Sequence, residues 1–402
     1  MTNLKFQQLI PKPDANSSAA AAATATASSN TPLARSSHGL SIIQNGSILV
    51  LYGGENIART PIDNPSQALW LAKKNTTKKK SSNNANGTEE GSESWQWISP
   101  TISSGSSGAA AAVPPSRVAH AQAAVGNNVY IFGGRNGIHM GENPMNDMWM
   151  LQIIIDNDDT TATAIWTRIT PPQGDDAVLP SARSFHKMIA VGTTIYMFGG
   201  CGARGRLNDL WKFDTISNKW TNLGSSHVLK GRGGPNILSL SDDNDNNKKI
   251  AIVAGFAGEE TNDGHVYNDS SSSSSSSNNI KAWEVDGMTG LADMRPRSVC
   301  CFASLSQEVN KCVIFGGEVD PSQKGHEGAG GFERDVVILD GTSGAMLENI
   351  KPSCDDDEVW PGNRGWADAT AHGDTFYIFG GLAGDDATPV RLDDLWQCKV
   401  SP

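Results

Sequence analysis

An all-β fold, a six-bladed β-propeller, is predicted by three recurring features of the chain. An apolar strand ending in a glycine pair occurs six times: ILVLYGG ending at Gly54, VYIFGG at Gly134, IYMFGG at Gly200, a degenerate IAIVAGF around Gly255, CVIFGG at Gly317 and FYIFGG at Gly381. Each copy follows a segment that opens on arginine, at Arg35, Arg117, Arg183, Arg232, Arg297 and Arg364. Each precedes an acidic-aromatic strand. NDMWML, NDLWKFD and LDDLWQC are the clear copies; QALWLA, NDGHVYN and RDVVILD are variants.

A fourth, outer strand of the form aromatic-x-x-aliphatic completes the unit, at Trp95–Ile98, Trp166–Ile169 and Trp220–Leu223, with looser versions at Trp283–Val285 and Leu347–Ile350. Short β-branched or aromatic runs bounded by glycine and polar turns read as strands. The glycine pair has a mechanical role, because strands crowd near a central channel and only glycine permits close approach and the turn that follows. The recurring tryptophan is hydrophobic mass between neighbouring blades. The sixth repeat stops after its third strand, LWQCKVSP, whereas NLKFQQLIP near the start carries the missing signature, Phe6 and Leu9. Residues 3–10 are therefore expected to complete the last blade and close the ring, which removes open sheet edges.

The whole chain, 1–402, thus reads as one domain with low-complexity inserts at about 14–31, 72–94, 101–113, 156–164, 242–249 and 269–279. The polar composition of those at 72–94, 156–164, 242–249 and 269–279 predicts solvated, disordered loops, while the other two are blade-to-blade connections. The net charge of −11 disfavours a nucleic-acid or anionic-membrane partner. No apolar run approaches the ~18–20 residues that span a bilayer. The opening MTNLKFQQLIPKPD has no apolar core of a secretory signal, so a cytoplasmic protein is expected. Six scattered cysteines match neither a zinc site nor a disulfide scaffold. His38, His120 and His186 share one repeat position and read as framework; no G-x-S-x-G elbow, P-loop or H-E-x-x-H motif is present.

Alternating hairpins place all loops between second and third strands on one face. Arg135, Arg206, Glu318 and His326 therefore meet around one mouth, and Phe185 and Trp366, at first-strand openings, point to the same rim. The framework resembles the kelch repeat of β-propellers. The loops resemble more narrowly those of the plant specifier proteins (nitrile-specifier, epithiospecifier and thiocyanate-forming proteins). That resemblance is carried by GGENIARTPID, ARSFHKMIAVGTTIYMFGGCGARGRLNDLW, VAGFAGEETNDGHVY, GGEVDPSQKGHEGAG and RGWADAT.

The resemblance implies a six-bladed kelch-type propeller and an iron(II)-dependent activity, a lyase-like direction of glucosinolate aglucone breakdown toward nitrile, downstream of a thioglucosidase. It places the sulfate of a small anionic substrate on Arg135 and Arg206, and packs Phe185 and Trp366 against the substrate side chain. Its metal motif, Glu-x-x-x-Asp-x-x-x-His, falls on Glu318, Ser322 and His326, so the middle carboxylate is replaced by serine. Two readings of this loop stand: an iron site in which Asp320 takes the place of the missing ligand, and a solvated loop without metal. The alternative function is a non-catalytic kelch propeller whose loop face binds a protein partner.

Overall fold

The computed structural model describes residues 2–10, 30–78, 91–103, 113–137, 144–156, 160–170, 178–241, 247–270, 282–353 and 359–401. Six antiparallel sheets each start from an arginine-led opening and run outward. Blade 1 comprises Gly39–Ile43, Ile48–Tyr52, Leu69–Lys78 and Gly91–Ile98, and blades 3 and 5 repeat this four-stranded order. The innermost strands touch their neighbours in one closed circuit from blade 1 round to blade 6. Each apolar cluster mixes residues of adjacent blades, as where Ile48 and Val50 of blade 1 meet Trp149 and Leu151 of blade 2. Burial between blades holds the ring together.

The ring closes as the sequence predicts. Asn3–Gln8 pairs antiparallel with the last strand, from Asn3 opposite Ser401 to Gln8 opposite Trp396. Phe6 is buried, 4.5 Å from the Trp360 ring, and packs in the cluster joining blades 5 and 6. Thr2 adds a clamp to blade 5, its backbone N–H and hydroxyl both donating to Glu348 Oε1 at 2.8 and 2.7 Å.

Three departures from expectation concern strand extent. The insert at 72–94 is partly strand: the third and fourth strands of blade 1 continue to Lys78 and from Gly91. Threonine and serine suit a pleated ladder, and Lys74 pairs with Glu93 at 2.7 Å across it. Likewise Thr101–Ile102 runs parallel to Thr163–Ala164 and makes blade 2 five-stranded, and Asn247–Phe256 begins inside the insert at 242–249. The inserts' remaining cores, 14–29, 79–90, 104–112, 157–159, 242–246 and 271–279, lie outside the described residues. Blade 4 has three strands, its outer position held by a single Tyr267–Trp283 bridge, while Val285 is 72% exposed.

The six arginines are the innermost framework. All are at most 2% exposed. Each donates from Nη1 to the carbonyl at the first position of the glycine pair: Gly53, Gly133, Gly199, Ala254, Gly316 and Gly380. Five also pair with the aspartate of the acidic-aromatic strand, as Arg297 does with Asp335 at 2.6 Å. That same aspartate accepts the indole N–H of Trp149, Trp211 and Trp396. The acidic-aromatic motif thus satisfies two buried donors at once.

Blade 1 breaks the pattern with Ala68 in the aspartate position. Arg35 is left with backbone carbonyls, burial lowers its pKa to about 9, and the Trp70 indole nitrogen has no partner among the described residues. Ala68→Asp is expected to satisfy both groups and stabilise the protein by about 1–2 kcal/mol. Denaturant unfolding checks this; an unchanged or lower midpoint would show that the short helix Pro65–Ala68 holds the position out of reach.

A second ring of bonds surrounds the channel. Ser37, Ala119, Phe185, Gly234, Val299 and Trp366 all adopt left-handed backbone, φ 48–58°. Each N–H donates to the carbonyl of its counterpart in the preceding blade, the first to the last, at 2.8–3.0 Å. The glycine pair makes room for this. A Cβ on Gly133 would lie 2.6 Å from the Arg183 carbonyl of the next blade. This ring aims the side chains of Phe185 and Trp366 at the axis.

Candidate functional site

Phe185 and Trp366 belong to opposite blades, 3 and 6, and meet edge to face over the axis with centroids 5.5 Å apart. Beneath them Lys187 and Asp368, from the same two blades, form an ion pair of 3.1 Å across the channel. The channel is crossed twice, so the mouth above is a closed-bottomed cavity of about 300 Å³ with an aromatic floor. Arg135, Arg206, Glu318, Ser322, Phe185 and Trp366 all line it, together with Cys201 and Phe256.

The side walls follow one rule. The residue after the glycine pair bridges to the residue after the framework arginine: Arg135 to Val118, Cys201 to Ser184, Phe256 to Gly233, Glu318 to Ser298. Blades 2 to 5 therefore contribute one wall residue each at the same height. Arg135 Nε donates to Ser184 Oγ at 3.0 Å, and its guanidinium lies 5.3 Å from the Phe185 ring. Arg206 sits on the small hairpin Cys201–Gly202 and Gly205–Arg206, its guanidinium 4.5 Å from the Phe256 ring. Two cations thus lie over aromatic faces on one side of the mouth. The side-chain partner of Arg135 is thus a hydroxyl of the next blade. Both sites suit an oxyanion, because guanidinium presents paired donors and stays charged.

The acidic side faces them. Glu318 is 7% exposed, and burial raises its carboxyl to about 7. Its counterpart in blade 1, Glu55, is equally buried but paired with Arg391 at 3.3 Å. Among the described residues Glu318 has no such cation. Ser298 stands between Glu318 and Glu260: its backbone pairs with Glu318 in both directions at 2.9 Å, and its Oγ donates to Glu260 Oε1 at 3.2 Å. Burial, and then the charge of Glu318, raise Glu260 to about 8. Glu260 Oε2 is enclosed with no hydrogen-bond partner among the described residues.

Two raised carboxyls set a pH dependence. The folded chain keeps protons that the unfolded chain releases above about pH 4.5, so the pair's stabilisation is complete below that pH and is lost as pH rises through about 7 and 8. In chelator-treated protein, stability should fall by roughly 1–3 kcal/mol between pH 5 and 8, after discounting for solvent at Glu260. Glu260→Gln should flatten that slope. Asp147, Asp209, Asp263 and Asp394, which their arginines hold low against the effect of burial, act at lower pH.

The remaining metal candidates are placed otherwise than expected. Asp320 does not turn toward Glu318: a register shift between the two breaks strand alternation. Its carboxylate is 69% exposed and bonded to Arg295 at 2.7 Å. Ser322 Oγ donates to the Asp386 carboxylate, which also accepts the Gln323 N–H at 3.2 Å, latching this loop to blade 6. The backbone of His326 lies in the turn Gly325–Glu327, and its side chain lies outside the described residues. Among the described residues no three His, Cys, Asp or Glu side chains group around one point. Of the family positions, Ser322 brings no carboxylate and its hydroxyl is engaged by Asp386, while beside Glu318 the Oε2 of Glu260 is enclosed with no hydrogen-bond partner among the described residues.

Nothing in the repeat pattern of the sequence marks Glu260 or Asp386. Cys201 and Phe256 were readable, since they follow the glycine pair as Arg135 and Glu318 do.

The repeat, the ring and the mouth make this chain a kelch-repeat β-propeller. Residues 92–281 match the model of the KLHDC2/KLHL20/DRC7 Kelch-repeats domain. Within that class the chain is similar to a protein of Thlaspi arvense, N-(sulfonatooxy)prop-2-enimidothioate sulfolyase, with 26% identity over 84% of each chain. It is also similar to Kelch domain-containing protein 3 of Rattus norvegicus, with 26% identity over 70% of this chain and 68% of the relative. The solved structure of YjhT superposes with a TM-score of 0.55 at 13% identity, covering 93% of this chain and 99% of that one. That likeness bears on the fold alone.

Proposed function

We propose that the chain is a specifier-type protein that directs the breakdown of a small sulfated thiohydroximate, of the class a thioglucosidase releases from glucosinolates, toward a nitrile. The observation that carries this is the convergence of Arg135, Arg206, Phe185, Trp366 and Glu318 on one closed-bottomed cavity. The name of the Thlaspi relative describes such a compound, with a sulfate ester at one end and a thiolate sulfur at the other.

In this reading Arg135 and Arg206 hold the sulfate and stabilise the charge that grows on it as the N–O bond breaks. Phe185 and Trp366 pack on the organic side chain and keep water from beneath it. Cleavage of the N–O bond releases sulfate, cleavage of the C–S bond releases sulfur, and the carbon and nitrogen remain as nitrile, with no outside oxidant or reductant. Iron(II), when bound, supplies a thiophilic Lewis acid for the sulfur. Glu318 and, following the family motif, His326 would hold it, opposite the arginines.

The test is a thioglucosidase-coupled assay with allyl glucosinolate and added Fe(II), scoring nitrile against isothiocyanate. Nitrile above the level without the chain supports the reading; isothiocyanate alone at every iron concentration sinks it. A second reading, a module that binds a protein partner, is favoured by Ile57 and Val390, which stand 66% and 50% exposed on the strands Glu55–Ile57 and Pro389–Ser401, and by the similarity to Kelch domain-containing protein 3.

A further inference from the structure

We infer that Glu260 supplies the second carboxylate of a divalent-cation site that it shares with Glu318 at the edge of the mouth cavity. The inference deepens the proposed function and rests on it for the location of the site. Its geometry is independent of the family motif, in which position 260 has no part.

Ser298 fixes the two acids against each other. Its backbone is paired on both sides with Glu318, and its hydroxyl holds one oxygen of Glu260. The strand carrying Glu260 is tied to the same segment one residue along, where Thr261 bridges Arg297. Glu260 from blade 4 and Glu318 from blade 5 therefore flank one serine on adjoining elements. One oxygen of Glu260 has its donor, and the other is enclosed with none among the described residues.

An enclosed carboxylate oxygen without a donor, close to a second carboxylate, is unfavourable while both are ionised, and either a proton or a bound cation relieves it. Elsewhere the chain provides such charges. Glu55 has Arg391, Asp335 has Arg297, and Asp320 has Arg295. Asp386, the other acid near the loop, has the Ser322 hydroxyl and the Gln323 N–H. Among the described residues no arginine or lysine is bonded to the pair formed by buried Glu318 and half-buried Glu260. Two carboxylates with serine oxygens beside them form a hard, oxygen-rich site, suited to Mn(II), Fe(II) or Mg(II). The arrangement also explains how Ser322 can stand where a carboxylate is expected: the missing charge comes from the neighbouring blade.

The test uses Mn(II) alone, titrated into chelator-treated full-length protein and followed by loss of the free-ion electron paramagnetic resonance signal. One ion is expected per chain. Glu260→Gln and Glu318→Gln should each weaken binding at least about tenfold, and Asp320→Asn should leave it within about twofold. A second readout is the melting temperature, which Mn(II) should raise in the parent protein and leave unmoved in Glu260→Gln. Absence of Mn(II) binding by the parent protein, or parent-like affinity in Glu260→Gln, would overturn the inference. Intact Mn(II) binding without nitrile formation would instead count against the proposed reaction and leave the cation site standing.

Discussion

Deleting residues 2–10 opens the ring, destabilises the protein by on the order of 5 kcal/mol and leaves it prone to self-association. The segment contributes a whole strand to blade 6, six residues in register from Asn3 to Gln8. Phe6 alone buries a ring against Trp360 and Phe315, worth about 2–3 kcal/mol. The ladder bonds and the Thr2 clamp on Glu348 add roughly 1 kcal/mol each where they are shielded from water. Without the strand, the edge from Trp396 to Ser401 presents unpaired backbone groups as a template for another chain. Thermal unfolding and gel filtration of the truncated chain measure both effects. A monomer melting with the parent would mean that the other interblade contacts hold the ring unaided.

The second large effect is on binding. Arg135→Ala and Arg206→Ala are each expected to weaken a small sulfate ester such as phenyl sulfate by about 10–100-fold, because each removes charged hydrogen bonds to the oxyanion. The double variant should lose binding altogether at millimolar ligand. Arg206 is exposed and bonded to no framework group by any described hydrogen bond, so its removal should leave the melting temperature within about 1 °C. Arg206→Lys keeps the charge but loses the planar fork and should bind at an intermediate level. Calorimetric titration of the four variants checks the series. Equal affinity in all of them would place the sulfate elsewhere.

What could be read from the chain follows the repeat. Gly-Gly, the leading arginines and the acidic-aromatic strands recur because each answers the same packing problem round the ring, so blade count, ring closure and the meeting of Arg135, Arg206, Phe185, Trp366 and Glu318 at one mouth were legible. Phe6 could be matched to the last blade for the same reason. Features that occur once were not legible. The bulge that turns Asp320 away from Glu318 depends on how one loop leaves its strand. The latch from Asp386 to Ser322 joins residues of different blades with no repeat to signal it. The Glu260–Ser298–Glu318 grouping needs the three-dimensional ring before it exists at all. Strand ends were missed where polar threonines and serines extend a ladder into sequence that reads as linker.

The most direct measurement is a crystal structure of the protein with phenyl sulfate bound. The sulfate should lie between the guanidinium groups of Arg135 and Arg206, with the phenyl ring against Phe185 and Trp366. A sulfate found instead at the opposite end of the channel, beside Lys248 and below the Lys187–Asp368 pair, with the mouth empty, would contradict the account.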